Sequence, residues 1–193
     1  MRKRRVLIAC KIFEEEINHF LQREREIFDV QTVWLDVGLH ADPALLQEEL
    51  ISAIDRAKAI GEDNIRILYG QRCLPGIERL AAQKEVSVAS TNNCLEAFIG
   101  DNKLKDFDNN HTMVMTPSWV RVWPEAMKKF LGWSEVDFRI NLGRYERILV
   151  LDARLAPLSD QEILEFFDLV QVPVEVEPLN LDHFHDIVIK LLE

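Results

Sequence analysis

Short apolar runs without polar alternation, separated by amphipathic helical stretches, constrain this chain more than any other feature of it. Arg5-Val-Leu-Ile-Ala9 is the first such run. A strand of this kind is buried on both faces, as in a parallel sheet covered by helices. Ile12, Ile17, Phe20 and Leu21 follow at roughly helical spacing and predict a helix over 11–25. Residues 29–36, rich in Val, Thr and Trp, predict a second strand. Asp42 and Pro43 then supply an N-cap and a first helical position, and Leu45, Leu46, Leu50, Ile54 and Ala57 form a stripe ending near Gly61. A third strand is expected at 64–69, a helix opened by Pro75 at 74–83, a fourth strand at 86–89 and a helix from 93 to 99. Strands alternating with helices through short connections imply an α/β fold: a doubly wound, Rossmann-like parallel sheet with helices on both faces.

The second half departs from that rhythm. Residues 100–111 are polar and rich in Asp and Asn, with Gly100 as a helix stop. A short apolar run at 112–115 leads into Thr116-Pro-Ser-Trp119. Residues 119–145 read as helix in two pieces hinged near Gly132, anchored by Trp119, Trp123, Phe130 and Trp133. A strand at 147–151, a helix at 159–170 with a Ser159/Glu162 capping box, a strand at 172–176 and a helix at 181–192 complete the chain. The expectation is one α/β domain over 1–193: a first βα half (1–100), a helical insertion (100–146) and a C-terminal βαβα segment (147–193). The runs at 5–9, 65–69 and 148–151 are expected side by side, or nearly so, in one sheet.

Charge and cysteine usage exclude several classes of function. A net charge of −10 and a pI near 5.0 argue against nucleic acid as partner, since phosphates require clustered Lys and Arg. Arg2-Lys3-Arg4-Arg5 is the one basic run and reads as a solvated tip on the first strand. No segment reaches the apolar length of a membrane span, so a cytoplasmic protein away from membranes is expected. Three cysteines are too few, and odd in number, for a disulfide framework, which fits a reducing compartment.

The cysteines are informative by position. In an open parallel sheet, ligands bind beyond the carboxyl ends of the strands. Cys10 directly follows the first strand, Cys73 lies in the loop after the third, and Cys94 lies in the loop after the fourth. His40 holds the equivalent place after the second. Thiolates with a neutral imidazole suit zinc, and thiolates alone suit an iron–sulfur cluster. With strand order 2-1-3-4 the three thiol-bearing strand ends span about 10 Å, at ~4.8 Å per strand. A shared metal therefore requires the loops of Cys73 and Cys94 to fold inward, which Gly70 and Gly76 permit for the first of them. Against this stands the ordinary role of free cysteine as a small buried hydrophobe. His40 has its own ordinary alternatives, as a helix-cap partner or a surface residue. Asn92 and Asn93 stand before a helix and could hold a small anionic substrate at its N-terminus, although capping is the commoner role. Thr116 and Trp119 are the remaining substrate-binding candidates, although by spacing alone Trp119 is better suited to anchor a core beside Trp123 and Phe130. Glu14-Glu15-Glu16 reads as a solvated charge run. His19 and His111 have no nameable partner, and His183 and His185 read as exposed helix positions. No P-loop, G-x-G-x-x-G or G-x-S-x-G pattern occurs.

Ile8-Ala-Cys-Lys-Ile12, Trp34-Leu-Asp-Val-Gly-Leu-His40, Leu68-Tyr-Gly70 with Cys73, Asn93-Cys94 followed by Phe98-Ile-Gly100, Thr116-Pro-Ser-Trp119, Arg144-Tyr145 and Ile148-Leu-Val-Leu-Asp152 appear in order. Together they resemble the domain of unknown function 1638 family over nearly the whole chain. That resemblance implies a setting in anaerobic one-carbon metabolism, often beside corrinoid methyltransferases, and a pattern that includes Cys10, His40, Cys73, Cys94 and Trp119. It further implies a zinc-dependent accessory protein or enzyme that activates a thiol for methyl transfer, whose partner is a small molecule or a corrinoid-pathway protein, in an assembly that can be oligomeric. An iron–sulfur or metal carrier without turnover, and a non-catalytic interaction protein, are the alternatives.

Overall fold

The computed structural model describes residues 4–193 and shows two parallel sheets with helices packed around them, a Rossmann-like α/β architecture. Of the basic run, Arg2 and Lys3 lie outside the described residues. The chain divides into two compact units. The first reaches to Phe98 and takes up Asp182–Glu193 again at the end, and the second is Ile99–Leu181.

In the first unit, β1 (Arg5–Cys10), β2 (Val30–Leu35), β3 (Ile65–Leu68) and β4 (Ser87–Val88) form one sheet in the order β2-β1-β3-β4. Every pairing in it is parallel. The expected strand order is therefore the observed one. Val6 to Cys10 are all buried, as a central strand covered on both faces must be. A 3-10 turn (Lys11–Phe13) and α1 (Glu14–Arg23) follow β1. After β2, a second 3-10 turn (Leu39–Ala41) leads into α2 (Pro43–Ala59). The Asp42 carboxylate accepts from the amides of Ala44 and Leu45 at 3.1 Å, with Pro43 at the first helical position, so this start was legible in sequence. α3 (Ile77–Lys84) is capped by Gly76 rather than opened by Pro75, and α4 (Cys94–Ile99) follows β4.

The second unit begins with α5 (Asp101–Asn109). The polar stretch expected to break the helical rhythm is thus itself a helix, whose one fully buried side chain is Leu104 and whose outer face carries the Lys105–Asp101 ion pair. β5 (Thr112–Met115), α6 (Pro117–Leu131), α7 (Glu135–Leu142), β6 (Arg147–Asp152), α8 (Asp160–Val170) and β7 (Val174–Pro178) complete this unit. The expected break between α6 and α7 falls at Gly132, which caps α6 with φ +67°. Trp123, Trp133 and Phe138 meet edge to face across that break, with ring centroids 5.2–5.5 Å apart.

One expectation is corrected outright. The run at 148–151 does not join the sheet of β1 and β3, because β6 is the centre of a separate three-stranded parallel sheet, β5-β6-β7. A non-alternating apolar run reports burial on both faces but not the identity of its neighbours, and here β5 and β7 occupy both edges of β6.

The last helix, α9 (Asp182–Leu192), belongs to the first unit. Phe184 is fully buried there, stacked against Phe13 at 5.4 Å and Phe98 at 4.9 Å. His185 is half-buried rather than exposed, and its ring stacks on His19 at 6.2 Å. Glu16 also departs from expectation, being 5% exposed. Only Glu14 and Glu15 of that acidic run face solvent, because helical spacing turns Glu16 onto the side of Ile17 and Phe20.

Candidate functional site

The parallel register sets the site at the carboxyl edge of the first sheet. Ala9 pairs with Leu68, and one further step sets Cys10 beside Tyr69 on the same face of the sheet. Beyond Tyr69 the chain turns sharply. The amides of Cys73 and Leu74 both donate to the Gly70 carbonyl, at 3.0 and 3.1 Å. Gly70 also lies flat against the loop that follows β4. A Cβ at this position would stand 2.1 Å from the Asn92 carbonyl and 2.6 Å from the Asn93 nitrogen. Arg72 donates its amide to that same Asn92 carbonyl at 2.9 Å. No residue other than glycine allows this approach. The contact binds the loop carrying Cys73 to the loop that delivers Cys94 at the start of α4.

The three thiols all lie near enough to the Tyr69 hydroxyl to raise its pKa, Cys10 most strongly. Tyr69 is 5% exposed, and its hydroxyl has no hydrogen-bond partner of ordinary geometry. Burial holds its pKa far above that of a free phenol, with the Cys10 thiol as the second cause, so it is a proton donor at every physiological pH. Burial likewise pushes the Cys10 thiol up to about 11, partly offset by a hydrogen bond from the Ile12 backbone and by Tyr69. Cys73 is raised for the same reason, against a smaller lowering effect from the Gly70 backbone. Cys10 and Cys73 are therefore neutral thiols near pH 7. A neutral thiol is a poor nucleophile, and it binds a cation only by giving up its proton.

His40 sits in the 3-10 turn after β2, half-buried, and burial lowers its pKa so that the ring is chiefly neutral near pH 7. Among the described residues, no group of three or more His, Cys, Asp or Glu side chains is disposed to hold a metal ion as it stands. The donor types are those of a soft-metal site, while a closed coordination shell is not preformed.

Asn92 and Asn93 brace α4. The Asn93 side-chain oxygen accepts from the Glu96 amide at 2.8 Å, while the Glu96 carboxylate takes both the backbone and side-chain N–H of Asn92. The polar ends of both side chains are thus engaged in shaping the loop that carries Cys94. Thr116 and Trp119 belong to the second unit. Thr116 caps α6 by accepting from the Trp119 amide at 3.4 Å, and Trp119 is 8% exposed. Sequence reasoning missed Tyr69 and the role of Gly70. The available signal was a tyrosine and glycine closing a wholly apolar strand immediately before a cysteine loop.

A protein-family model described as Protein of unknown function (DUF1638) matches residues 34–188, most of the chain. The matched span contains His40, Tyr69, Cys73 and Cys94 and begins after Cys10. No curated protein and no solved structure matches the chain.

Proposed function

This chain belongs to that family of proteins of unknown function, and we propose that the thiol edge of its first unit takes up a thiophilic metal ion, zinc foremost. What supports this reading is that all three cysteines follow strands at the carboxyl edge of one parallel sheet, with the loops of Cys73 and Cys94 held together at Gly70. Cys10, Cys73 and Cys94 would be the protein ligands, with His40 or an external thiol as the fourth. Because Cys10 and Cys73 are protonated in the ligand-free protein, uptake releases protons to solvent and strengthens with pH. The loops of Cys73 and Cys94 close inward together, since Gly70 couples them.

Zinc with one exogenous position would supply a lowered pKa to a bound thiol, making that thiol a methyl acceptor. Cys10, Cys73 and Cys94 would hold the cation, and their thiol protons would pass to solvent. The physiological setting we propose is accessory or catalytic work in anaerobic one-carbon or corrinoid methyl metabolism, with a small thiol or a corrinoid-pathway protein as partner. No helix is long and apolar enough to cross a membrane among the described residues.

Anaerobic purification followed by elemental analysis tests the reading. One zinc per chain, retained through dialysis and lost on Cys10→Ser or Cys73→Ser, is the expected result. A brown chromophore with iron and sulfide would transfer the site to the iron–sulfur carrier alternative. A metal-free chain that takes up no zinc at pH 8 overturns the reading and leaves an interaction protein with three packed thiols.

A further inference from the structure

The packing of α9 against α1 contains a histidine pair that the thiol edge leaves unused. His185 stacks on His19 at 6.2 Å and meets Phe20 at 5.5 Å. Its Nε2 is sealed from solvent and has no hydrogen-bond partner among the described residues. A neutral ring can leave that nitrogen as a bare acceptor at modest cost. An imidazolium makes it a charged donor, which burial without a partner penalises heavily. The surrounding charges agree. Burial lowers the pKa of His185, Arg23 and His19 on α1 lower it further, and Asp182 and Glu24 oppose them more weakly. Glu16, one turn before Phe20 on the same helix, is itself buried. The one ionisable residue of β3, on which α9 also packs, is Arg66, a further cation whose charge interacts with Arg5. The next ring along α9 is Phe184, which stacks on Phe13 and Phe98. Phe13 closes the 3-10 turn that follows Cys10, and Phe98 lies one turn after Cys94 on α4. One aromatic ring of α9 therefore holds both of those segments.

We infer that His185 is an acid-sensitive latch on α9: its protonation favours release of the helix from α1, which withdraws Phe184 and loosens the segments that carry Cys10 and Cys94. The device stands apart from the metal-binding reading and does not depend on it. Docked, His185 sheds its proton more readily than a solvated histidine does, so the released state binds more protons. By linkage, docking is fully favoured above histidine's ordinary 6.5 and loses ground as pH falls below that value. At pH 5.5 a solvated ring is protonated about ten times over, which bounds the shift towards release at roughly tenfold.

Hydrogen exchange of the full chain at pH 7.5 and 5.5, corrected for the intrinsic pH dependence of exchange, tests this in wild type against His185→Phe. Phenylalanine keeps an aromatic ring beside Phe20 and Phe184 but cannot take a charge. Protection of the α9 amides in wild type should fall at the lower pH by up to about tenfold, and the variant should keep most of it. Trapping of Cys10 by dithiodipyridine, which reacts with thiols in acid, should be faster in wild type than in the variant at pH 5.5 and equal at pH 7.5. Wild-type α9 amides equally protected at both values overturn the latch. His40, the other half-buried histidine with a lowered pKa, is untouched by the substitution. Acid loosening that survives undiminished in His185→Phe therefore belongs to another group and overturns the latch too. Should that variant fail to fold, the His185 ring proton of wild type is followed by NMR over the same range. A midpoint below 6.5, with α9 resonances shifting alongside it, is expected, and a midpoint at or above 6.5 overturns the inference.

Discussion

The two units carry the same kind of scaffold, a parallel sheet with helices following its strands, but they treat the polar groups of their carboxyl edges in opposite ways. In the second unit those groups are consumed internally. Arg121 donates to the Glu162 carboxylate at 2.6 Å and to the carbonyls of Ala156 and Pro157 at 3.0 and 2.9 Å. Asp152, buried at the end of β6, accepts from the Arg154 amide at 2.6 Å, and Thr116 caps α6. In the first unit the equivalent edge carries protonated, desolvated thiols around a hydroxyl without an ordinary partner. Hydrogen-bond satisfaction separates the two edges where fold does not. An edge whose donors and acceptors answer one another stabilises its own loops. An edge that buries thiols instead holds its loops by packing and by backbone contacts such as those of Gly70.

Four measurements would break or sharpen this contrast. The largest effects come from the aromatic centres of the two units. Phe184→Ala and Phe138→Ala each remove a fully buried ring and should cost about 3–5 kcal/mol in urea unfolding. Hydrogen exchange should show amide protection falling first in β1 and β3 for Phe184→Ala, and first in β5 and β6 for Phe138→Ala. The reverse pattern would dissolve the division into units.

Next comes Gly70→Ala. The added methyl meets backbone atoms of Asn92 and Asn93, which cannot rotate away, so a loss of about 2–3 kcal/mol is expected. Zinc uptake should fall with it. A Gly70→Ala chain as stable as wild type would show that the two cysteine loops are not bound together as described.

The third test uses alkaline pH. The Cys10 thiol is raised from 9.0 to about 11 in the folded protein, so the unfolded chain releases that proton first. Stability is complete below pH 9 and falls as pH rises from 9 towards 11, by on the order of 2 kcal/mol. Cys10→Ala should make this slope shallower, leaving the part that the buried Cys73 and Tyr69 contribute. Alkylation of Cys10, followed by mass spectrometry, should be slow at pH 7 and climb about tenfold per pH unit through this window. Rapid alkylation at neutral pH would contradict a desolvated, neutral thiol.

The smallest effect lies in the second unit. Arg121, with the Ser159 cap, holds the Glu162 carboxyl down from 4.5 to about 2. A depressed carboxyl contributes stability above pH 4.5 and loses it as pH falls towards 2. Both side chains are about one-third exposed, so solvent screening keeps the contribution below about 1 kcal/mol. Arg121→Ala should flatten this acid limb and leave zinc uptake unchanged. A variant that loses metal would join the two edges functionally and defeat the comparison.

What the sequence determined by itself was local. The burial of β1 and β6, the caps at Asp42 and Ser159, the break at Gly132 and the order β2-β1-β3-β4 follow from periodicity, capping chemistry and the short connections of a parallel sheet. The placement of Cys10, Cys73, Cys94 and His40 on one edge follows too, because a parallel sheet sends the residue after every strand to the same end. Tertiary structure decided which strands pair and which polar groups find partners. An apolar run is equally content beside any apolar neighbour, so β6 could join β5 and β7 rather than β1 without any change in its own pattern. The return of α9 to the first unit, bringing Phe184 between Phe13 and Phe98, depends on a contact more than 80 residues distant in the chain, which no local window contains. The character of the site was settled in the same way. Whether a thiol is neutral, an asparagine engaged or a tyrosine hydroxyl unanswered depends on desolvation and on atoms delivered by other loops. Those are properties of packing, and a sequence holds them only once it is folded.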